Sequence, residues 1–332
     1  DAGAEYAAPG EFTRRAFVNG KLDLTQVEAV ADMIHSVSIP GSQTSARQLS
    51  GEFTQRLSRV RQSLLDVASL AELELDFADE DLEFVPPVEI IDKISSAIAF
   101  CKELAESYSS AEILREGFYV GLCGYPNSGK STLFNALIKK ERAIVSEIPG
   151  TTRDYIEESM LVGGLPIKII DTAGIRESED IIEIQGIKLV ESVLEQSNVI
   201  LVINDATKGC ENSRELSNEI SAKYDNATVL TVQNKYDLIE NDEAPDQIKL
   251  SAKKREGIDA LKAIISEHAE QSINRVSDIL VNKRHAALLD NSVKVLTNCL
   301  EQMNTVVDNV AIAYDIRAAA KSLGEISGES WN

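Results

Sequence analysis

Several things are scarce in this 332-residue chain, and each scarcity closes a route to function. Basic side chains are outnumbered, with 33 Lys and Arg against 54 Asp and Glu and a formal net charge of -21. Gripping nucleic acid through general electrostatics needs clustered cations, so any RNA contact has to be local or supplied by a partner. The cysteines are Cys101, Cys123, Cys210 and Cys299, with no Cys-x-x-Cys pair. That spacing argues against a zinc site or a disulfide frame and predicts reduced, buried thiols. His35, His268 and His285 share no metal-binding or triad spacing, so each reads as structural or surface. No apolar run approaches the roughly 20 residues that a membrane helix needs, and nothing at the start resembles a signal peptide. The expectation is a cytoplasmic protein with no membrane partner. Asp1 stands where an initiator Met would, and Glu329-Ser330-Trp331-Asn332 ends the chain without a closing element, so the chain reads as a fragment.

What is present is an ordinary globular composition, 43% hydrophobic and 26% charged, and length enough for two or three domains. Thr25 and Glu28 have the spacing of a capping box, and Val27, Val30, Ala31 and Ile34 follow at helical intervals, which predicts a helix from Thr25. Leu49, Phe53, Leu57, Val60 and Leu64 form a second long stripe, interrupted first at Pro40-Gly41 and finally at Pro86-Pro87. A third runs from about Val88 to Leu114 along Ile91, Ile94, Ile98 and Leu104. Such stripes read as packed core.

The texture changes after Glu116-Gly117. Phe118 to Cys123 is a short β-rich run, followed by glycine and a helical stretch from Ser131 to Lys139. Similar runs recur at Ile167 to Ile170, Val199 to Ile203 and Val229 to Val232, which is the alternation of a mostly parallel sheet. Tyr155 to Val162 and Leu165 to Asp171, joined by Gly163-Gly164, predict one antiparallel pair at an edge. Helical sequence returns beyond about His268, through Leu289, Val293, Leu296, Leu300 and Met303, then Val310, Ala313, Ile316 and Leu323. The simplest architecture is an α/β domain inserted into an all-α helical domain made from both flanks.

Three motifs in the α/β segment carry chemistry. Gly124-Tyr125-Pro126-Asn127-Ser128-Gly129-Lys130-Ser131 is a phosphate loop between a predicted strand and a predicted helix. Its glycines let the backbone wrap an anion, Lys130 adds charge at the β- and γ-phosphates, and the Ser131 hydroxyl suits Mg²⁺. Asp171-Thr172-Ala173-Gly174 ends another strand; Asp171 suits a water-mediated contact to Mg²⁺, and Gly174 can present its N–H to a γ-phosphate. Asn234-Lys235-Tyr236-Asp237 follows a third. The Asp237 carboxylate can accept from the two N–H groups on one edge of guanine, whereas adenine offers no such pair. Lys235 can lay its stem along the purine, and Ser251-Ala252-Lys253 can offer a backbone N–H to the guanine carbonyl. The three together predict an α/β P-loop GTPase domain, hence an enzyme acting on GTP.

Between the first two motifs, Gly150-Thr151-Thr152-Arg153-Asp154 is a candidate switch loop, since a threonine there can complete Mg²⁺ coordination only while a γ-phosphate is present. Arg153 reads equally as an arginine finger or a solvated loop charge. The residue after Gly174 is Ile175, which can neither orient water nor offset charge, so a glutamine-based mechanism is excluded there. Glu177, Glu179, Asp180 and Glu183 are the nearby acids.

These motifs and their flanks closely resemble the MnmE (TrmE) family of tRNA-modification GTPases. The resemblance rests on the run from Pro9 to Phe17, Asn19-Gly20-Lys21-Leu22-Asp23-Leu24, Gly150 to Asp154, Asp171 to Arg176 and Gly324-Glu325-Ile326. It implies four segments: residues 1–24 as the remnant of a folate-binding dimerisation domain, 25–114 and 269–332 as the two parts of the helical domain, and 115–268 as the G domain. It also implies that the family's Cys-x-Gly-Lys tail is absent from this sequence. Implied GTP contacts are Asn127, Ser128, Gly129, Lys130, Ser131 and Thr132; Ser146, Glu147, Ile148, Pro149, Gly150, Thr151 and Thr152; Asp171, Thr172, Ala173 and Gly174; Asn234, Lys235, Tyr236 and Asp237; and Ser251, Ala252 and Lys253. By the same resemblance, K⁺ replaces an arginine finger, bound by Asn127 and Thr151 side chains and Ser146 and Ile148 carbonyls. Ser131 and Thr152 match the Mg²⁺ positions, Lys130, Thr152 and Glu183 the catalytic ones, and Lys21 a contact to a tetrahydrofolate derivative. Implied partners are a second copy, paired through the G domains, and an FAD-dependent subunit in a heterotetramer that attaches a carboxymethylaminomethyl group at carbon 5 of the tRNA wobble uridine. An Era- or Der-type ribosome-assembly GTPase and a septin-like scaffold are the alternatives.

Overall fold

The computed structural model describes residues 3, 5–36, 38–76, 86–138, 156–171, 183–239, 247–273, 279–303 and 309–329. They form two compact units, Asp1–Arg115 with Arg275–Asn332, and Glu116–Asn274.

The first unit is helical: α1 (Glu11–Val18), α2 (Leu24–His35), α3 (Ile39–Leu49), α4 (Glu52–Asp76), α5 (Pro87–Glu106), α6 (Tyr108–Glu116), and from the far end of the chain α11 (Lys283–Met303) and α12 (Asn309–Ser327). Both ends of the chain supply one core. Phe53, Leu57 and Leu64 of α4 and Ile94, Cys101 and Leu104 of α5 pack with Leu289, Leu296 and Cys299 of α11 and Ile316 and Leu323 of α12. Each fully buried side chain of this size contributes about 1.5–3 kcal/mol, so each flank draws part of its stabilisation from the other. The cap of α2 differs from expectation. Asp23, not Thr25, accepts from Gln26 N at 2.9 Å, while Gln26 Oε1 accepts from Asp23 N at 2.9 Å. Thr25 is buried inside the first turn and donates to Asp23 Oδ1 at 2.6 Å. Pro40-Gly41 opens α3 rather than breaking a helix, because Ser38 caps it by accepting from Gly41 N at 3.1 Å. The predicted third stripe is two helices, separated at Ser107.

Arg284 ties this unit together. Its guanidinium reaches both carboxylate oxygens of Glu28 (3.0 and 3.1 Å) and the carbonyls of Glu325 (2.8 Å) and Ile326 (2.9 Å). Those carbonyls lie in the last turn of α12, where no intrahelical donor reaches and a cation is favoured. Beside it His285 is fully buried, 2.7 Å from Glu28. Burial drives its imidazole below the ordinary value, against the opposing pull of Glu28. Burial works against ionised Glu28 too, but His285 and Arg284 outweigh it and hold the carboxyl below its usual range.

The second unit is a six-stranded sheet in the order β2-β3-β1-β4-β5-β6, made of β1 (Phe118–Cys123), β2 (Ile156–Val162), β3 (Leu165–Asp171), β4 (Val199–Asp205), β5 (Thr228–Asn234) and β6 (Ile248–Lys249). All pairs are parallel except β2 with β3, the antiparallel edge that the sequence predicts. β4 is buried along its whole length, as a strand covered on both faces must be. Helices α7 (Lys130–Ile138) and α10 (Ile258–Ile273) touch each other. Leu194 of α8 (Glu183–Gln196) and Ile220 of α9 (Glu211–Lys223) share a cluster with Ile200 and Val202 of β4. Among the described residues the cysteines form no disulfide, and only Cys101 and Cys299 are buried, where desolvation pushes them up to about 12 and about 11. Cys123 and Cys210 are only half-buried, contrary to expectation.

Candidate nucleotide site

Strands β1, β3, β4 and β5 run parallel and end along one edge at Cys123, Asp171, Asp205 and Asn234. Because β1 lies between β3 and β4, the chain leaves it toward one side of the sheet and later returns on the other. A crevice outside the strand ends at such a reversal is where α/β folds bind ligands.

The phosphate loop leaves β1 at this reversal and enters α7 at Lys130. Its glycines are dictated by contact. A Cβ on Gly124 (φ 143°) would collide with the Ile203 carbonyl, and one on Gly129 (φ 94°) with Asn234 Nδ2. Asn127 adopts φ 64°, a left-handed conformation that asparagine tolerates better than other side chains. Lys130 Nζ donates to the carbonyls of Gly124 (3.0 Å) and Tyr125 (3.1 Å), so the ammonium lies against the loop it serves. Ser131 and Thr132 are exposed in the first turn of α7, where backbone N–H groups have no partner four residues back within the helix.

Asn234 joins three loops. Its Nδ2 donates to Ser128 O at 2.9 Å, and its Oδ1 accepts from Lys235 N (2.8 Å) and Ala252 N (3.0 Å). The residue is 2% exposed, and its bonds to Ser128 and Ala252 are made away from water. Asp237 stands in the short turn Tyr236–Leu238, its side chain 10% exposed and 3.3 Å from Lys254 Nζ. The Ser251 hydroxyl first, and Lys254 with it, hold its carboxyl below the usual range against a smaller effect of burial. Tyr236 lies under a cation, with Lys249 Nζ 5.4 Å from the ring centroid.

Asp171 is buried at the end of β3, paired in register with Leu122 of β1. Ser146, Glu147, Ile148, Pro149, Gly150, Thr151, Thr152 and Arg153 lie outside the described residues, as do Thr172, Ala173, Gly174 and Ile175. Glu183 is the first residue of α8. Lys21 is exposed in the turn after α1, its N–H donating to Ala16 O at 2.8 Å. The structure thus brings Asn127 to Thr132, Asp171, Asn234 to Asp237 and Ser251 to Lys253 to one edge of one sheet.

Two participants escape sequence reasoning. Asp205 ends β4 opposite Asn234 and accepts from Lys235 Nζ at 2.7 Å. Lys254, one residue past the motif singled out, is the cation beside Asp237. The signal for Asp205 is a polar pair, Asn204-Asp205, closing a strand that is aliphatic from Val199 to Ile203; for Lys254 there is none beyond the charge.

A family model described as the MnmE helical domain matches residues 24–332. The tRNA modification GTPase MnmE of Natranaerobius thermophilus is 40% identical over 99% of this chain and 73% of its own length, and that of Christiangramia forsetii is 38% identical over 98% and 74%. The chain belongs to the MnmE family of GTPases. The family match takes in both helical flanks, which decides against the Era- or Der-type and septin-like alternatives. Among solved structures, an Aquifex aeolicus Era variant bound to GDP and AlF₄⁻ is 30% identical over 45% of this chain and 56% of its own, with a TM-score of 0.33. Among the described residues no helix of this MnmE-family chain is long and apolar enough to cross a membrane.

Proposed function

We propose that this chain binds GTP at the edge of the sheet and hydrolyses it to GDP and phosphate in the service of tRNA wobble-uridine modification. The observation that carries the reading is the pairing of two sites by one side chain: Asn234 ties the phosphate loop at Ser128 to the loop that presents Asp237. A polyanion receptor and a recogniser of paired N–H donors joined in this way suit a guanine nucleotide.

The first-turn amides of α7 and Lys130 receive the β- and γ-phosphates, and their positive charge favours the charge that develops on the bridge oxygen. Asp237, held ionised by Ser251 and Lys254, accepts from the two N–H groups of the guanine edge. Lys235 places its stem against the base. Ala252 N–H is engaged by Asn234, which leaves Lys253 to donate to the guanine carbonyl. Ser131, an exposed hydroxyl beside the phosphate position, fits Mg²⁺, with Thr152 completing the set; the metal supplies charge neutralisation when bound. By kinship the Asn127 and Thr151 side chains hold K⁺ together with the Ser146 and Ile148 carbonyls, neutral oxygens of the kind a weakly hydrated monovalent cation takes. Glu183 is by kinship the acid that positions the attacking water, a role that Ile175 cannot take.

By kinship we extend the reading to G-domain pairing between two copies, to an FAD-dependent partner that shares the tRNA substrate in a heterotetramer, to a tetrahydrofolate derivative touched by Lys21, and to the cytoplasm. The test compares single-turnover GTP hydrolysis in K⁺ and Na⁺, with Mg²⁺ in both, for the wild type and Glu183→Ala. Hydrolysis should be faster in K⁺, and the variant should keep GTP affinity while slowing about 100-fold or more. Equal rates in the two salts sink the K⁺ assignment; an unimpaired variant sinks that of the acid.

A further inference from the structure

Lys235 is expected to work through its aliphatic stem, yet its ammonium is the most constrained part of it. Nζ donates to Asn127 O at 2.8 Å and to Asp205 Oδ2 at 2.7 Å. Asp205 is 7% exposed at the end of β4, and its register partner on β5 is Asn234, the residue before Lys235. Its other oxygen is fixed as well: Oδ1 accepts from the Thr207 hydroxyl at 2.6 Å and the Thr207 amide at 3.1 Å, capping the short turn Ala206–Lys208. The carboxylate therefore cannot swing away from the lysine. Burial opposes its charge most strongly, but Lys235 and Thr207 together keep the group below the ordinary range. At the far end of the bridge, Asn127 holds φ 64° and Lys235 itself φ 61°. Two left-handed non-glycine residues, one in each loop, are joined through a single ammonium.

We propose that Asp205 is a positioning residue of the guanine-nucleotide site: its carboxylate seats the Lys235 ammonium on the Asn127 carbonyl and so locks the base loop to the phosphate loop. The inference rests on the guanine-nucleotide reading above. Asp205 acts through Lys235: it sets the path of the stem along the purine and restrains Asn127 in the loop that faces the phosphates. A charge-assisted hydrogen bond between rigid partners is stronger than a neutral one, so its loss should be felt in how long a nucleotide stays bound.

The experiment is a double-mutant cycle on the full chain, following release of N-methylanthraniloyl-GDP in Mg²⁺ from the wild type, Asp205→Asn, Lys235→Met and the double variant. Asparagine keeps an oxygen for the Thr207 cap and removes only the charge, and methionine keeps the stem and removes only the ammonium. Release should be about 10- to 100-fold faster in Asp205→Asn, and the same substitution should change release less than about twofold when Lys235 is already methionine. Wild-type-like release from Asp205→Asn, or its full effect persisting in the Lys235→Met background, overturns the proposal. Should Asp205→Asn not fold, Asp205→Ser, whose hydroxyl also caps the turn, takes its place in the cycle. A wild type that releases the guanine and adenine analogues alike refutes the reading beneath the inference, a different failure from a flat cycle with guanine preference intact.

Discussion

Replacing Asn234 with alanine probes the joint on which the site depends. The substitution removes one donor and one acceptor that together make three hydrogen bonds, to Ser128 O, Lys235 N and Ala252 N. Lys235 is half-buried, so water can replace its lost partner, but Ser128 and Ala252 are 2% and 4% exposed. A buried polar group left unmade costs about 1–3 kcal/mol, and two of them give about 2–6 kcal/mol before relaxation. Entry of a water into the space vacated by the amide lowers this, and about 3 kcal/mol is the expected loss for the α/β unit. Amide hydrogen exchange in β1 and β5 reads that loss locally, and at tenfold per 1.4 kcal/mol it should quicken roughly 100-fold. GDP should also leave faster, because the phosphate and base loops are no longer joined. Exchange in both strands within about twofold of the wild type would refute the reasoning, since two buried bonds cannot vanish without trace.

Other predictions follow from the same geometry. Gly129→Ala should cost at least about 2 kcal/mol and weaken nucleotide binding, because φ 94° disfavours a side chain and the new Cβ displaces Asn234 Nδ2; competition binding with GDP checks it. In the helical unit, His285 is kept neutral by burial, so below about pH 6.5 the unfolded chain takes up a proton that the folded chain refuses. Stability should therefore fall on acidification by up to about 1.4 kcal/mol per pH unit from this group, and Glu28 adds a loss in the same direction at lower pH. Urea unfolding followed by circular dichroism should show the slope reduced in His285→Gln; an unchanged slope would mean that the histidine does not titrate between the two states.

The nucleotide motifs are legible because each is local. A strand end, a glycine that contact forbids replacing and a helix start fall within nine residues at Cys123 to Ser131, and the same compactness holds for Asn234 to Asp237. Insertion of the α/β segment is legible because helical periodicity stops and resumes. What is lost depends on distance along the chain. Asp205 looks like any turn carboxylate until its register with Asn234, set by the β4–β5 ladder, puts it beside Lys235. Thr25 and Glu28 satisfy the capping-box pattern as well as Asp23 and Gln26 do, and only the fold separates them: Glu28 is taken by Arg284 and His285 from the far end of the chain. Ser107 splits a continuous apolar stripe with no glycine or proline to announce it.

Base selection by Asp237 is the central claim, and one titration tests it: GDP, ADP and XDP competing for the wild type and for Asp237→Asn with Mg²⁺ present. A carboxylate accepts from both guanine N–H groups, whereas an asparagine amide donates to the oxygen that xanthine carries in place of the exocyclic amine. The wild type should prefer GDP over XDP and ADP, and the variant should reverse the order of GDP and XDP. A wild type that holds ADP as tightly as GDP, or a variant that keeps the wild-type order, would contradict the account.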